Sequence, residues 1–220
     1  DVVTVEYSAT VNDQAVIAGT GNPNETWLNY DNDQNTTHST TRTYVWEMTV
    51  IKFTMKNNEE VNLKDAQFVL YRLNGATKEY VVADSSNKVT GWTENTYDSN
   101  LTTKATVFTT PENGTFTISG LDAGTYYLKE IKAPAGYNML KEPIEIVITA
   151  SIDRANDAGT ATVTYNKFFT GDVKVENQTG TELPSTGGIG TTIFYIVGSL
   201  LAVGAVILLV TKKRMGKTED

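Results

Sequence analysis

Cysteine is absent from the 220 residues, and histidine occurs only once, at His38. The chain therefore cannot form disulfides or thiolate metal sites, and a single histidine disfavours histidine-based catalysis. Acidic residues outnumber basic ones, which gives a formal net charge of −8. A charge of this sign disfavours nucleic-acid binding, which needs basic patches. The composition predicts a chain with no nucleic-acid partner, no cofactor and no metal site.

Sustained helical periodicity is also lacking before residue 189. Short runs rich in Val, Thr, Tyr and Phe alternate instead with Asn, Asp and Gly, which is typical of strands joined by turns. Many short strands at close spacing favour an all-β, immunoglobulin-like sandwich.

Three features follow one another at the C-terminal end of the chain. The first is a pentapeptide made of Leu183, Pro184, Ser185, Thr186 and Gly187. The second is an uncharged apolar run at 189–210, which as a helix would span roughly 33 Å, enough for a bilayer core. The third is a basic tail at 211–220, predicted to stay in the cytoplasm. Everything before the pentapeptide is therefore expected outside the cell.

This combination resembles the cell-wall sorting signal of Gram-positive surface proteins, which sortase transpeptidases recognise at an LPxTG pentapeptide. The resemblance implies cleavage between Thr186 and Gly187, so that the membrane helix serves only during export. Sortase is then a partner, and the new carboxyl end passes to a peptidoglycan precursor or to a neighbouring pilin subunit. The implied location is the cell wall on the extracellular surface.

The rest of the chain divides into three predicted parts. Residues 1–30 resemble the last strands of a middle domain in backbone pilins, and the polar stretch 31–41 is interpreted as a linker. Residues 42–182 form a complete β module. No signal peptide precedes Asp1 although the other end requires export, so we expect the chain to be a C-terminal fragment of a longer protein.

One carboxylate lies on an apolar strand face in this module. Side chains alternate between the two faces of a strand, so Glu130 shares its face with Tyr126 and Leu128. A carboxylate in such a place needs a partner. The alternative is an edge glutamate that reaches solvent.

A lysine and an asparagine follow the same rule on the first and last strands of the module. Lys52 lies an even number of positions after alternate apolar residues of its strand, so it shares their face. Lys56 shares this face too and is the second candidate, although it adjoins a turn. Asn177 is in step with two valines, whereas the alternative Asn166 is in step with threonines. We therefore expect Lys52 and Asn177 to point into the core.

The segment from Tyr127 to Tyr137 resembles the E-box of Cna-B-type domains, YxLxETxAPxGY, with Ile131 in place of the usual Thr. In that family the Glu promotes an isopeptide bond between a first-strand Lys and a last-strand Asn. The resemblance implies a Cna-B-type sandwich in which Glu130 acts once, to join Lys52 to Asn177. A neutral amine, favoured by burial, would attack the amide carbonyl, and a protonated Glu130 would polarise it.

The sequence favours a structural role, that of a wall-anchored pilus shaft subunit, over two alternatives. One is a monomeric wall-anchored adhesin whose domain for an unknown host ligand lies elsewhere. The other is a wall-anchored enzyme whose catalytic domain lies elsewhere. No constellation for catalytic turnover is present in these residues.

Overall fold

The computed structural model describes residues 4–9, 11–12, 14–30, 34–95 and 104–180. These residues contain strands and no helix, so the all-β prediction is confirmed. The strands are β1 (Asn22–Thr26), β2 (Asn29–Tyr30), β3 (Gln34–Asn35), β4 (Ser39–Thr43), β5 (Trp46–Lys56), β6 (Glu59–Asn62), β7 (Gln67–Asn74), β8 (Thr77–Ala83), β9 (Val89–Thr93), β10 (Phe108–Thr109), β11 (Thr115–Leu121), β12 (Gly124–Lys132), β13 (Ile144–Asp153), β14 (Ala158–Tyr165), β15 (Phe169–Thr170) and β16 (Val173–Glu176).

Two large sheets form the body of the molecule. One has the order β15-β14-β13-β12-β7-β8-β9, with β10 paired to β7. The other has the order β11-β5-β16, with β6 paired to β5. Their inner faces share one hydrophobic core, to which β5 contributes Met48 and Val50, β12 contributes Leu128, and β13 contributes Ile146. Each such side chain stabilises the fold by about 1.5–3 kcal/mol when fully buried.

The strands that begin and end the module, β5 and β16, lie side by side. They pair in parallel, with Val173 opposite Val50 and Val175 opposite Lys52. Parallel neighbours need a long crossover, and here the whole of the intervening module provides it. The chain therefore enters at one end of this strand pair and leaves at the other.

The N-terminal part of the structure contains short paired strands. Residues 1–180 form one compact unit, and β1 pairs with β4. The stretch 31–41, interpreted as a linker, contains β3 and the beginning of β4. Threonine-rich chain favours extended backbone even when it is polar, which explains the strand at Ser39–Thr43. The proposed domain boundaries stay a prediction.

Candidate functional site

Lys52 lies in the middle of β5 and is fully buried. The alternation along β5 turns it inward with Met48 and Val50, where its Nζ donates a hydrogen bond to the Val175 carbonyl oxygen at 2.9 Å. Burial lowers the pKa of Lys52 to about 8, although the negative charges of Glu130 and Glu176 oppose the shift. The amine is therefore much easier to deprotonate than that of an exposed lysine.

Asn177 follows directly after β16 and is also buried. Its backbone N–H donates to the Phe53 carbonyl oxygen at 3.0 Å, which continues the pairing between β16 and β5 by one residue. Val175 lies opposite Lys52 in that pairing, and Asn177 follows two residues later, so its side chain points to the same side of the strand as that of Val175.

Glu130 comes from the opposite sheet, near the end of β12, and is 2% exposed. Its Oε1 lies 3.8 Å from the Lys52 Nζ, and its Oε2 accepts a hydrogen bond from the Leu140 backbone N–H at 2.7 Å. The pairing of β12 with β7 shifts register just after Glu130. The strand therefore departs from regular pairing next to the carboxylate, as bulges often do beside functional groups.

The amide group of Asn177 bridges the two sheets. Its Nδ2 donates to Glu130 Oε2 at 3.2 Å and to the Asn138 backbone carbonyl at 2.8 Å. Two buried oxygens, Glu130 Oε1 and Asn177 Oδ1, find no donor among the residues that the structure describes. Leaving such atoms unpaired in a folded interior costs free energy, and a catalytic role is one explanation for their presence.

The structure thus brings together Lys52, Glu130 and Asn177. The alternative candidates, Lys56 and Asn166, lie outside this site. Lys56 has the parity of Lys52 but lies where β5 extends beyond the core, and it is exposed. Asn166 lies in an exposed turn after β14, with a positive φ of 49°.

Sequence reasoning missed three backbone groups that complete the site: the carbonyls of Val175 and Asn138 and the N–H of Leu140. Every residue has a backbone carbonyl, and every residue except proline has a backbone N–H, so no side-chain pattern identifies these groups. The only available signal is the Pro134–Tyr137 stretch of the E-box-like motif, which precedes Asn138 and Leu140 and forms a turn.

The C-terminal predictions concern residues outside the described part of the chain. They are the pentapeptide at 183–187, the apolar run at 189–210 and the tail at 211–220. Within the described ranges, no helix has the length and apolar character needed to cross a membrane. Those same ranges contain no group of three or more His, Cys, Asp or Glu residues placed to hold a metal ion.

Two family models match this chain. One, described as SpaA, a prealbumin-like fold domain, matches residues 47–167, which is more than half of the chain. The other, described as an LPXTG cell wall anchor motif, matches residues 175–215. The chain therefore belongs to the SpaA family of prealbumin-like domains and carries a cell-wall anchor. The predicted location in the Gram-positive cell wall is confirmed.

Several proteins are similar to parts of this chain. The trypsin-resistant surface T6 protein of Streptococcus pyogenes serotype M6 is 25% identical over 268 residues, which cover 96% of this chain and 48% of that protein. Fimbrial subunit type 1 of Actinomyces viscosus is 31% identical over 93 residues, covering 42% of this chain and 16% of that protein. The solved backbone protein of pilus 2b from group B streptococcus has 26% identity, a TM-score of 0.46, and coverage of 81% of this chain and 54% of that one.

The predicted resemblance to wall-anchored Gram-positive pilins is confirmed by these matches. The chain spans about half of the T6 protein and less of the fimbrial subunit.

Proposed function

We propose that this chain is part of a pilus shaft subunit that sortase anchors covalently, and that an internal bond between Lys52 and Asn177 braces its last module. The observation that carries the proposal is the presence of a cell-wall anchor directly after a SpaA-family domain. The fimbrial name of one relative supports a shaft over a monomeric adhesin. The role is structural, and the chemistry at Glu130 happens once per molecule.

The attachment of Thr186 tests the shaft assignment. The protein is recovered from walls of the producing cells by muralytic digestion, and its C-terminal peptide is identified by mass spectrometry. For a shaft subunit we expect Thr186 joined to a lysine side chain of another subunit. Thr186 joined only to wall peptide, in every molecule, would contradict the shaft role and favour the adhesin.

The internal reaction is an amide exchange within one molecule. The neutral Lys52 amine attacks the side-chain carbonyl carbon of Asn177, forming the Nζ–Cγ bond as the Cγ–Nδ2 bond breaks. Glu130 begins protonated, donates its proton to the amide and takes one proton from the attacking amine, so that Nδ2 leaves as ammonia and the carboxyl group is protonated again. Positioning by the fold replaces an external enzyme.

The geometry around the carboxyl group supports this route. The Lys52 Nζ donates to the Val175 carbonyl, which leaves the lone pair of a neutral amine free for attack. Glu130 Oε1 and Asn177 Oδ1 are both buried acceptors without a donor in the described part of the chain. A proton on Glu130 Oε1 would make this atom a donor, and Asn177 Oδ1 would then be available to accept from it. Polarisation of the amide carbonyl is the consequence that the reaction needs.

The bond would also stabilise the module. It would close a loop of about 125 residues, which in the chain-entropy model used for disulfides corresponds to about 5 kcal/mol. The chain has no cysteine with which to obtain this effect in another way.

The mass of the intact protein tests the bond directly. Wild-type protein should weigh one ammonia less than its sequence. Lys52→Met removes the nucleophile but keeps an unbranched apolar side chain in the core, and we expect the full mass. Glu130→Gln keeps an oxygen that can accept from the Leu140 N–H but cannot shuttle a proton, and it should also give the full mass.

Lys56→Met is the matched control for these variants. Lys56 lies on the same strand but is exposed, so its loss should leave the ammonia deficit unchanged. A full-mass wild type would rule out the internal bond. A wild-type deficit that persists in Lys52→Met would show that another lysine is the nucleophile.

A further inference from the structure

The chain turns sharply between β12 and β13. The Tyr137 N–H donates to the Pro134 carbonyl at 3.1 Å, and Gly136 has a φ of +86°, which suits the third position of a type II turn. Beyond this turn, the segment 138–140 lies beside the residues that follow β16.

Asn138 makes three hydrogen bonds to that C-terminal stretch. Its N–H donates to the Gln178 carbonyl at 3.0 Å, and its carbonyl accepts from Asn177 Nδ2 at 2.8 Å. Its side-chain Nδ2 donates to the Gly180 carbonyl at 2.9 Å. One residue therefore fixes the chain on both sides of Gln178 and contacts the reactive amide itself.

The same short segment also orients the carboxyl group. The Leu140 N–H donates to Glu130 Oε2, while Met139 between them points outward and is 50% exposed. The Asn177 amide and the Glu130 carboxyl group are therefore held by backbone groups only two residues apart. An error in the placement of this segment would displace both reactants.

We propose that Asn138 is a positioning residue for the Lys52–Asn177 bond, and this inference rests on the proposed function. Its side chain ties Gly180 to the segment 138–140, and this contact holds the chain that carries Asn177 against that segment. The backbone carbonyl of Asn138 holds the Nδ2 atom, the nitrogen that leaves as ammonia. A misplacement of about 1 Å in such a geometry is enough to slow a reaction by orders of magnitude.

The test compares the rate of bond formation with the rate of folding. Unlinked protein is taken from inclusion bodies in denaturant and refolded by dilution at pH 7. Samples are quenched in acid at successive times, and the intact mass is measured by mass spectrometry. Tryptophan fluorescence follows folding in parallel. For Asn138→Ala we expect bond formation about tenfold slower than wild type, as for one lost hydrogen bond, with an unchanged fluorescence rate.

Asn74→Ala is the matched control. Asn74 also donates a side-chain hydrogen bond, to Glu79 Oε1 at 2.9 Å, but in the β7–β8 hairpin. It should form the bond at the wild-type rate. Asn138→Gln keeps an amide donor and should fall between wild type and Asn138→Ala, which gives a second reading if Asn138→Ala folds poorly.

Each result decides a separate point. A wild type that never loses ammonia rejects the proposed function itself. A wild type that does lose it, with Asn138→Ala equally fast, rejects only the role of Asn138. If folding and bond formation slow by the same factor in both Asn138 variants, Asn138 has a purely structural role and the inference is also wrong.

Discussion

Stretched between its two ends, the wild-type module should not lengthen by unfolding between Lys52 and Asn177, whereas Lys52→Met should lengthen by about 400 Å in that region. The reason is the path of the force, which would cross from β5 to β16 through the side-chain bond. The 125 residue steps between the joined positions would carry no load. At about 3.4 Å per residue, the same steps released in the variant give the expected extension.

The measurement is single-molecule force spectroscopy, with handles attached before β5 and after Gly180. The variant should still resist, because β5 and β16 are parallel neighbours pulled from opposite ends, so their hydrogen bonds are sheared together. The length gained, rather than the peak force, is therefore the decisive observable. Lys56→Met should behave as wild type, and a wild type with the full extension would contradict the bond.

Bond formation should be about a hundredfold slower at pH 10 than at pH 7. The reactive arrangement has a neutral Lys52 and a protonated Glu130, so the pair carries one proton. The ion pair of a charged Lys52 and an ionised Glu130 also carries one proton. The ratio of the neutral pair to this ion pair therefore does not depend on pH. Above the Lys52 pKa of about 8, this proton is lost and the rate falls tenfold per pH unit.

The opposite sign would identify a different mechanism. If Glu130 acted only as a carboxylate, the rate would rise with pH until the amine was neutral and then level off above about 8. The refolding assay with intact-mass measurement, repeated over pH 6–10, distinguishes the two pH profiles. Tryptophan fluorescence at each pH confirms that folding itself is not limiting, and Lys56→Met serves again as the control.

Much of the candidate site follows from the alternation of side chains along single strands. This alternation alone predicts that Lys52, Glu130 and Asn177 face inward, and the structure places all three in the interior. Alternation is a local property, so it can be read wherever a strand is long enough to show it.

The features that the sequence did not reveal depend on pairing between distant segments. The parallel register of β5 and β16 is one example, since neither strand encodes its neighbour. The contacts of Asn138 and Leu140 are another, because the Asn177 and Glu130 side chains meet backbone groups there. The strands β3 and β4 are a third example, because pairing can order a polar stretch that has no apolar face.

Lys52 lies near the beginning of the module, Glu130 lies late in its middle, and Asn177 lies near its end. A copy that emerges incomplete, or that packs one sheet wrongly, lacks at least one of them at the meeting point. The loss of ammonia is irreversible, so the bond would mark those molecules in which the module was complete and correctly folded. Copies without the bond would remain easier to digest, so proteolysis at the cell surface would remove incorrectly folded copies.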